Sequence, residues 1–280
     1  MLDNLVKDMY NVMLTKEYKV TPKEAEDIFA QQAELYKDLL KKISNDSYEP
    51  RLRLSMIGKA DRQIYFELNS GYEKEPLLPH TLNKFSYGDV IELNTLLWAK
   101  LAGYKVENEQ AEVEVEGVKG RIDCTINGVV VDVKSTSTYG FNKFKDGSIV
   151  TDDPFGYIAQ LSAYHQGFKG GHKYAAFLAM DKQNGHLTVC KIPENKMIDA
   201  AARIRHIKEM LAKESMPSQC CGGTKLDKMG NTMLDVSCSY CPYKKTCHPN
   251  LRTFLYSNGP VYLTNVVKQP NVFELKDENK

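Results

Sequence analysis

The chain has 280 residues, enough for one large domain or for a core with appendages. Hydrophobic residues at 42% and charged residues at 26% describe a soluble globular protein, and no apolar run approaches the roughly 20 residues a membrane helix needs. A net charge of +1 excludes a global basic field, so any contact with nucleic acid must use local positive charge.

The opening MLDNLVKDMY lacks the basic-then-apolar layout of a signal peptide, and the cytoplasm is the expected location. Residues 1–14 read as a short helix. Thr21-Pro22-Lys23-Glu24 then starts a longer one: Thr21 caps, Pro22 suits the first helical position and Glu24 completes a capping box. Ala25, Ile28, Phe29, Tyr36, Leu39, Leu40 and Ile43 mark its apolar side, and 45–50 reads as a linker. From Leu54 a mixed region leads to a helix over Gly88–Ala102, with a stripe of Val90, Leu93, Leu97 and Leu101 and a stop at Gly103. Strands are expected over 111–115, 118–126 and 129–134, and a polar loop over 141–151. Asp153-Pro154 opens a helix to about Gly167. Two strands follow, over 174–180 and 186–192 about Asn184-Gly185, then a helix over 194–213. The expected division is a helical arm over 1–50, a core over 51–214, a cysteine-rich segment over 215–250 and a polar tail over 251–280.

The stretch GRIDCTINGVVVDVKST carries the strongest signal. Asn127-Gly128 is a type I′ hairpin turn, which sets Ile126 opposite Val129, Thr125 opposite Val130, Cys124 opposite Val131 and Asp123 opposite Asp132. One face is then apolar throughout, from Ile122 to Val133. The other carries Arg121, Asp123, Thr125, Val130, Asp132 and Lys134. Two carboxylates facing each other repel unless a cation sits between them. A divalent metal would serve, with Lys134 beside it to orient water or offset charge on a phosphate. The bland reading is a solvated face on which Arg121 and Lys134 neutralise two aspartates. Against it stands Val130 to Val133, a β-branched run that reads as a central strand.

Gly120-Arg121-Ile122-Asp123, followed by an apolar strand and Asp132-Val133-Lys134, resembles the core of PD-(D/E)XK nucleases, in the RecB-like branch where the first motif reads G-x-x-D. The resemblance covers about residues 54 to 250. It implies an α/β fold with a mixed central sheet flanked by helices. It also implies Mg²⁺ or Mn²⁺ bound by Asp123 and Asp132, with Lys134 assisting catalysis. Glu92, on the helix before the sheet, takes the place of that branch's helical glutamate and completes the metal shell. Gln160 and Tyr164 match its Gln-x-x-x-Tyr pair: Gln160 near the lysine or a phosphate, Tyr164 against the DNA backbone. Taken singly, Glu92 reads as an ordinary boundary residue and Tyr157 and Tyr164 as core.

Five of the seven cysteines lie between Cys220 and Cys247. Cys238-x2-Cys241-x5-Cys247 has metal-ligand spacing, with Cys220 or Cys221 as the fourth ligand and His248 in reserve. Thiolates of this kind suit Zn²⁺ or an iron–sulfur cluster. The C-x2-C-x5-C ending is similar to iron–sulfur nucleases, including the AddB nuclease domain and CRISPR-adaptation nucleases. That places a structural 4Fe-4S cluster first and Zn²⁺ second.

Lys59 and Arg62 near a turn, and Lys143 and Lys145 interleaved with aromatics, are candidate phosphate contacts, as are Lys244 and Lys245. The function implied is a metal-dependent DNA exonuclease of recombination, repair or phage DNA metabolism. It would act on linear duplex or single-stranded ends, with a recombinase or annealing protein as possible partner, oligomers allowed and no membrane contact. The alternatives are a non-catalytic nucleic-acid-binding protein with a structural zinc, and a site- or structure-specific endonuclease.

Overall fold

The structure is a computed structural model that describes residues 1–44, 50–69, 71–72, 74–76, 79–213, 215–218, 225–257 and 259–275. In chain order the elements begin with helices α1 (Leu5–Thr15), α2 (Pro22–Ser44), α3 (Asp61–Leu68) and α4 (Pro79–Leu101). Strands β1 (Val106–Glu107), β2 (Glu112–Val115), β3 (Val118–Arg121), β4 (Cys124–Ile126) and β5 (Val129–Thr136) follow. Then come α5 (Thr138–Asp146), α6 (Tyr157–Phe168), β6 (Tyr174–Asp181), β7 (Leu187–Pro193) and α7 (Ala200–Ala212). The chain continues with β8 (Lys225–Leu226), β9 (Thr232–Met233), α8 (Val236–Ser239), α9 (Lys244–Cys247), β10 (Arg252–Tyr256), β11 (Gly259–Asn265) and β12 (Phe273–Leu275). They form two compact units: Met1–Gly58 with Leu77–Arg205, and Lys59–Pro76 with His206–Lys280.

The first unit is built on a mixed five-stranded sheet in the order β1-β4-β5-β6-β7, in which β5 and β6 are parallel and the other pairs antiparallel. The fold is therefore α/β with a mixed central sheet flanked by helices, as the motif order implies. Asn127 and Gly128 both take left-handed φ values, 50° and 82°, which a type I′ turn requires. The ladder register is the expected one, from Ile126↔Val129 to Cys124↔Val131. The apolar side of the hairpin, with Ala176 and Leu178 of β6, packs on Leu96, Ala99 and Leu101 of α4 and on Leu5, Met9 and Val12 of α1.

Several expectations need correction. The N-terminal residues are no separate arm, because α1 lies in the core with Leu5, Met9 and Val12 fully buried. The capping box does form: Thr21 N–H donates to Glu24 Oε2 at 2.7 Å, and Glu24 N–H donates to Thr21 Oγ1 at 3.3 Å. On α2, however, the buried line is Ala25 and Gln32 with Ile28 half-buried, while Phe29 and Leu40 are exposed. Helix α4 starts at Pro79 rather than Gly88. Thr95, Leu96, Ala99, Lys100 and Leu101 are buried in place of a Val90/Leu93/Leu97/Leu101 stripe. α4 is covered by α1 and α2 as well as by β5, so a single apolar face cannot describe it. The loop over 141–151 is largely helix α5, capped by Ser137 Oγ accepting from Gly140 N–H and anchored by buried Phe141 and Phe144. The strand over 118–126 breaks at Ile122-Asp123. There β3 leaves to pair with β2 in a separate small sheet. A short 3-10 turn precedes α7, which begins only at Ala200.

The second unit holds the sheet β12-β10-β11-β9-β8, so the residues expected as a tail supply β10, β11 and β12. Fully buried Asn231 organises it, accepting from Val267 and Lys268 N–H at 2.8 Å and donating to Asp227. In the same unit, Phe66, Tyr243 and Cys241 form a small buried cluster with Tyr65, Tyr72 and Cys247 packed against it.

One close backbone approach in the first unit fixes where α6 starts. Gly156, at φ 75°, lies against Gly58, and a Cβ on either glycine would overlap the other's backbone. Replacing Gly58 by Ala is therefore expected to destabilise the protein by about 2–4 kcal/mol, read as a lower Tm in thermal unfolding.

Candidate active site

Asp132 lies on β5, in the middle of the sheet, and only 1% of its surface is exposed. Its Oδ2 is 2.5 Å from Lys134 Nζ, as an ion pair, and its Oδ1 is buried with no hydrogen-bond donor. A buried carboxylate oxygen without a donor is costly, and it is the kind of atom a cation completes. Asp123 follows the break after β3. Its backbone carbonyl accepts from Gln110 N–H at 3.0 Å, and its Oδ2 accepts from Val133 N–H at 2.7 Å. The β4–β5 ladder stops at Cys124↔Val131, and the Asp123 side chain takes over the next N–H of β5. Its carboxylate is thus tied to the residue between Asp132 and Lys134. The polar face is a buried one, with Thr125, Val130 and Asp132 all at 2% exposure or less, so the solvated-face reading fails.

Glu92 comes from α4, in line with buried Leu96 and Ala99 at i, i+4 and i+7. Its Oε1 accepts from Gln110 Nε2 at 2.9 Å. Burial, then Asp132 and Asp89, push its carboxyl up to about 7 from an ordinary 4.5. Burial likewise holds Asp123 well above the usual range, with Asp132 and Glu92 adding to it. Asp132 is raised by burial, opposed by Lys134. Burial works against the Lys134 charge, but Asp132 and Asp123 outweigh it and hold the ammonium above the usual lysine value. Asp132 thus raises both Glu92 and Asp123, and Glu92 raises Asp123, the effect expected of carboxylates buried near one another.

Helix α6 covers this face. Gln160 Oε1 accepts from Lys134 Nζ at 3.4 Å, and Gln160 Nε2 donates to Tyr164 OH at 3.0 Å. Tyr164 is 4% exposed, so the expected contact with a DNA backbone is corrected: it is a buried support for Gln160. Gly120, the glycine of G-x-x-D, leaves the room Tyr164 needs, since a Cβ there would lie 3.0 Å from Tyr164 Cε1 and 2.7 Å from Leu54 Cβ. Tyr157, expected in the core, has its ring centroid 4.8 Å from Lys134 Nζ. Its spacing from Gln160 and Tyr164, i, i+3 and i+7, was the available signal. Asp153 opens the helix as expected, its Oδ2 accepting from Ile158 N–H at 2.8 Å.

Lys143 is drawn inward, 2.7 Å from Asp152 and over the Tyr139 ring, whereas Lys145 is exposed on α5. In the second unit Arg62 lies over the Phe66 ring and donates to Pro217 O, and Lys59 is half-buried. Lys244 is buried, paired with Glu75 and placed over Tyr262, which corrects its reading as a phosphate contact. Lys245 is exposed. Cys238 is buried and disulfide-bonded, whereas buried Cys241 and half-buried Cys247 are in no disulfide, so the expected trio of thiolates is not assembled in this structure; Cys220 and Cys221 lie outside the described residues.

Among the described residues, no three His, Cys, Asp or Glu side chains stand close enough together to enclose a metal ion as they are. In the acidic set the reason is local: Asp132 leans to Lys134, Asp123 to Val133 N–H and Glu92 to Gln110. The donor chemistry, all carboxylate oxygen with one orphan atom, fits a hard divalent cation.

No protein-family model matches the chain, and no curated protein matches it. Some solved structures resemble it loosely. The crystal structure of SSO0001 superposes with a TM-score of 0.41 at 17% identity, over 75% of this chain and 91% of that one. An alkaline exonuclease (LHK-Exo) from Laribacter hongkongensis gives 0.36 at 15%, over 56% and 88%. A phage related exonuclease from Haemophilus somnus 129PT gives 0.37 at 17%, over 59% and 92%. The chemistry of the site rests on its own side chains. Among the described residues, no helix is long and apolar enough to cross a membrane.

The raised carboxyls carry a stability prediction. Between 4.5 and about 7 the folded state keeps a proton on Glu92 that the unfolded chain has lost, so stability falls as pH rises through that window. The metal-free protein is expected to melt lower at about pH 8 than at about pH 5. Glu92→Gln should remove on the order of 1–3 kcal/mol of that difference. Thermal unfolding in chelator across this range checks it, and equal slopes for both proteins would contradict it.

Proposed function

We propose that this protein is a metal-dependent DNA exonuclease of the RecB-like PD-(D/E)XK type, hydrolysing phosphodiester bonds. The observation that carries the reading is the fully buried Asp132, with an orphan Oδ1, beside Lys134 and two further raised carboxyls. A non-catalytic nucleic-acid binder has no need of such an arrangement, which destabilises the fold that holds it. DNA as substrate and attack from an end are what the resemblance of the motifs G-x-x-D, D-x-K and Q-x-x-x-Y to those of RecB-like exonucleases implies.

Asp123, Asp132 and Glu92 would hold Mg²⁺ or Mn²⁺, which when bound supplies Lewis acidity and an activated water for in-line displacement at phosphorus. The chain's own part is positional. Val133 N–H orients the Asp123 carboxylate, and Gln110 orients that of Glu92. The Lys134 ammonium donates toward the attacking water and the non-bridging oxygens, where negative charge grows. Gln160, steadied by Tyr164, accepts from that ammonium and limits its swing. Lys145, exposed on α5, is the remaining candidate of the first unit for a phosphate contact.

For the cysteine segment we propose a structural 4Fe-4S cluster, with Zn²⁺ as the alternative, held by Cys238, Cys241, Cys247 and one of Cys220 and Cys221. In support, Cys241 and Cys247 pack on one aromatic cluster; Cys238, disulfide-bonded in this structure, would join them as a thiolate once reduced.

The activity test uses end-labelled linear duplex and closed circular DNA with Mg²⁺ or Mn²⁺. Linear DNA should be degraded and circular DNA spared, with at least about a hundredfold loss in Asp132→Ala and Lys134→Ala proteins that keep the wild-type melting curve. Survival of linear DNA with either metal, in folded protein, would leave a binding protein instead. For the cysteines, metal analysis and visible absorption of anaerobically purified protein should show iron with sulfide, lost in Cys241→Ser. Stoichiometric zinc would select the alternative, and neither metal would remove the staple.

A further inference from the structure

Lys134 has a neighbour that no motif assigns. Its ammonium lies 2.5 Å from Asp132 Oδ2, 3.4 Å from Gln160 Oε1 and 4.8 Å from the centroid of the Tyr157 ring, within cation–π range. Only 15% of the Lys134 side chain is exposed, so these groups close most of its surroundings. The Tyr157 ring is itself held by aromatic packing. Phe144 sits at 6.2 Å and Phe155 at 5.6 Å, and Phe144, 2% exposed, rests on Phe177, the β6 partner of Asp132. The Gly58–Gly156 approach fixes the backbone one residue before it.

We propose that Tyr157 is a positioning residue of the reaction, its π face holding the Lys134 ammonium in place when a cation draws on the Asp132 carboxylate. This rests on the nuclease reading. As the structure stands, Asp132 is the strongest partner of Lys134. A divalent cation competes for that carboxylate and repels the ammonium, and a lysine with Gln160 alone at 3.4 Å would swing toward water. A second carboxylate beside Lys134 would hold it, but would also bind the metal. An aromatic face attracts a cation without carrying a net charge, and it leaves the N–H donors of Lys134 directed at water and phosphate.

The test replaces Tyr157 by Phe, by mono-, di- and trifluorinated phenylalanines, and by Leu; it compares kcat and KM on linear duplex with Mg²⁺ and, without DNA, the Mg²⁺-induced shift of the Lys134 ammonium resonance, which should grow along the fluorinated series and would be the same in every variant if the ring only packs. Fluorination weakens the ring's negative face with little change in shape, a difference that a packing role does not register. The expected result is a stepwise fall in kcat along the fluorinated series, about tenfold at Leu, with KM within about twofold and Phe close to wild type. Equal kcat across the fluorinated series in an active enzyme would overturn the proposal and leave the nuclease reading standing, even if the Leu variant fails to fold. A wild-type protein inactive with both metals would overturn the nuclease reading, and this proposal with it.

Discussion

Everything distinctive in this molecule follows from one ionised group in an unfavourable place. Asp132 is buried on the central strand of the sheet, flanked by Val131 and Val133, with one oxygen that no donor reaches. A carboxylate in such a position is normally neutralised, paired with full hydrogen bonding, or bound to metal. Here the pairing is partial, through Lys134, and the Asp132 charge raises two more carboxyls, those of Glu92 and Asp123. A fold that served stability alone would place an apolar side chain there.

The surrounding structure reads as the means of holding that arrangement. The type I′ turn fixes the register that leads Asp123 toward Asp132. The break at Ile122-Asp123 frees β3 for its own small sheet and lets the Asp123 side chain replace a ladder partner of β5. Gly120 clears space for Tyr164, Tyr164 steadies Gln160, and Gln160 meets Lys134. α1, α2 and the sheet enclose the C-terminal half of α4, while Glu92 sits where that helix leaves the core. Rigid elements, rather than loops, thus carry the acidic set, except for Asp123 at its strand break.

How much of this the sequence disclosed depended on how local each determinant was. The Asn127-Gly128 turn, the capping box at Thr21 and Glu24, and the β-branched run of β5 are decided by neighbours in the chain, and they formed as read. The Asp123, Asp132 and Lys134 grouping was legible because a two-residue turn leaves one register. α4 was not, since a helix packed on more than one side loses its periodic stripe. Helix α5 was hidden by glycine, asparagine and lysine, which mask a core contact made only by Phe141 and Phe144. Tyr164 was misplaced at a DNA surface because its burial depends on Gly120, distant in sequence. The strands over 252–275 are short, and the buried Asn231, which ties the chain after β11 to the turn before β9, is a contact no periodicity reveals.

The central claim is that Asp132 and its neighbours form a divalent-cation site. Calorimetric titration of Mn²⁺ into the metal-free protein, in buffers of different ionisation enthalpy near neutral pH, tests it most directly. The account predicts saturable binding with release of protons from carboxyls raised as Glu92 is, abolished in Asp132→Asn protein of unchanged fold. Binding that persists in Asp132→Asn, or no binding to the wild type, would contradict it.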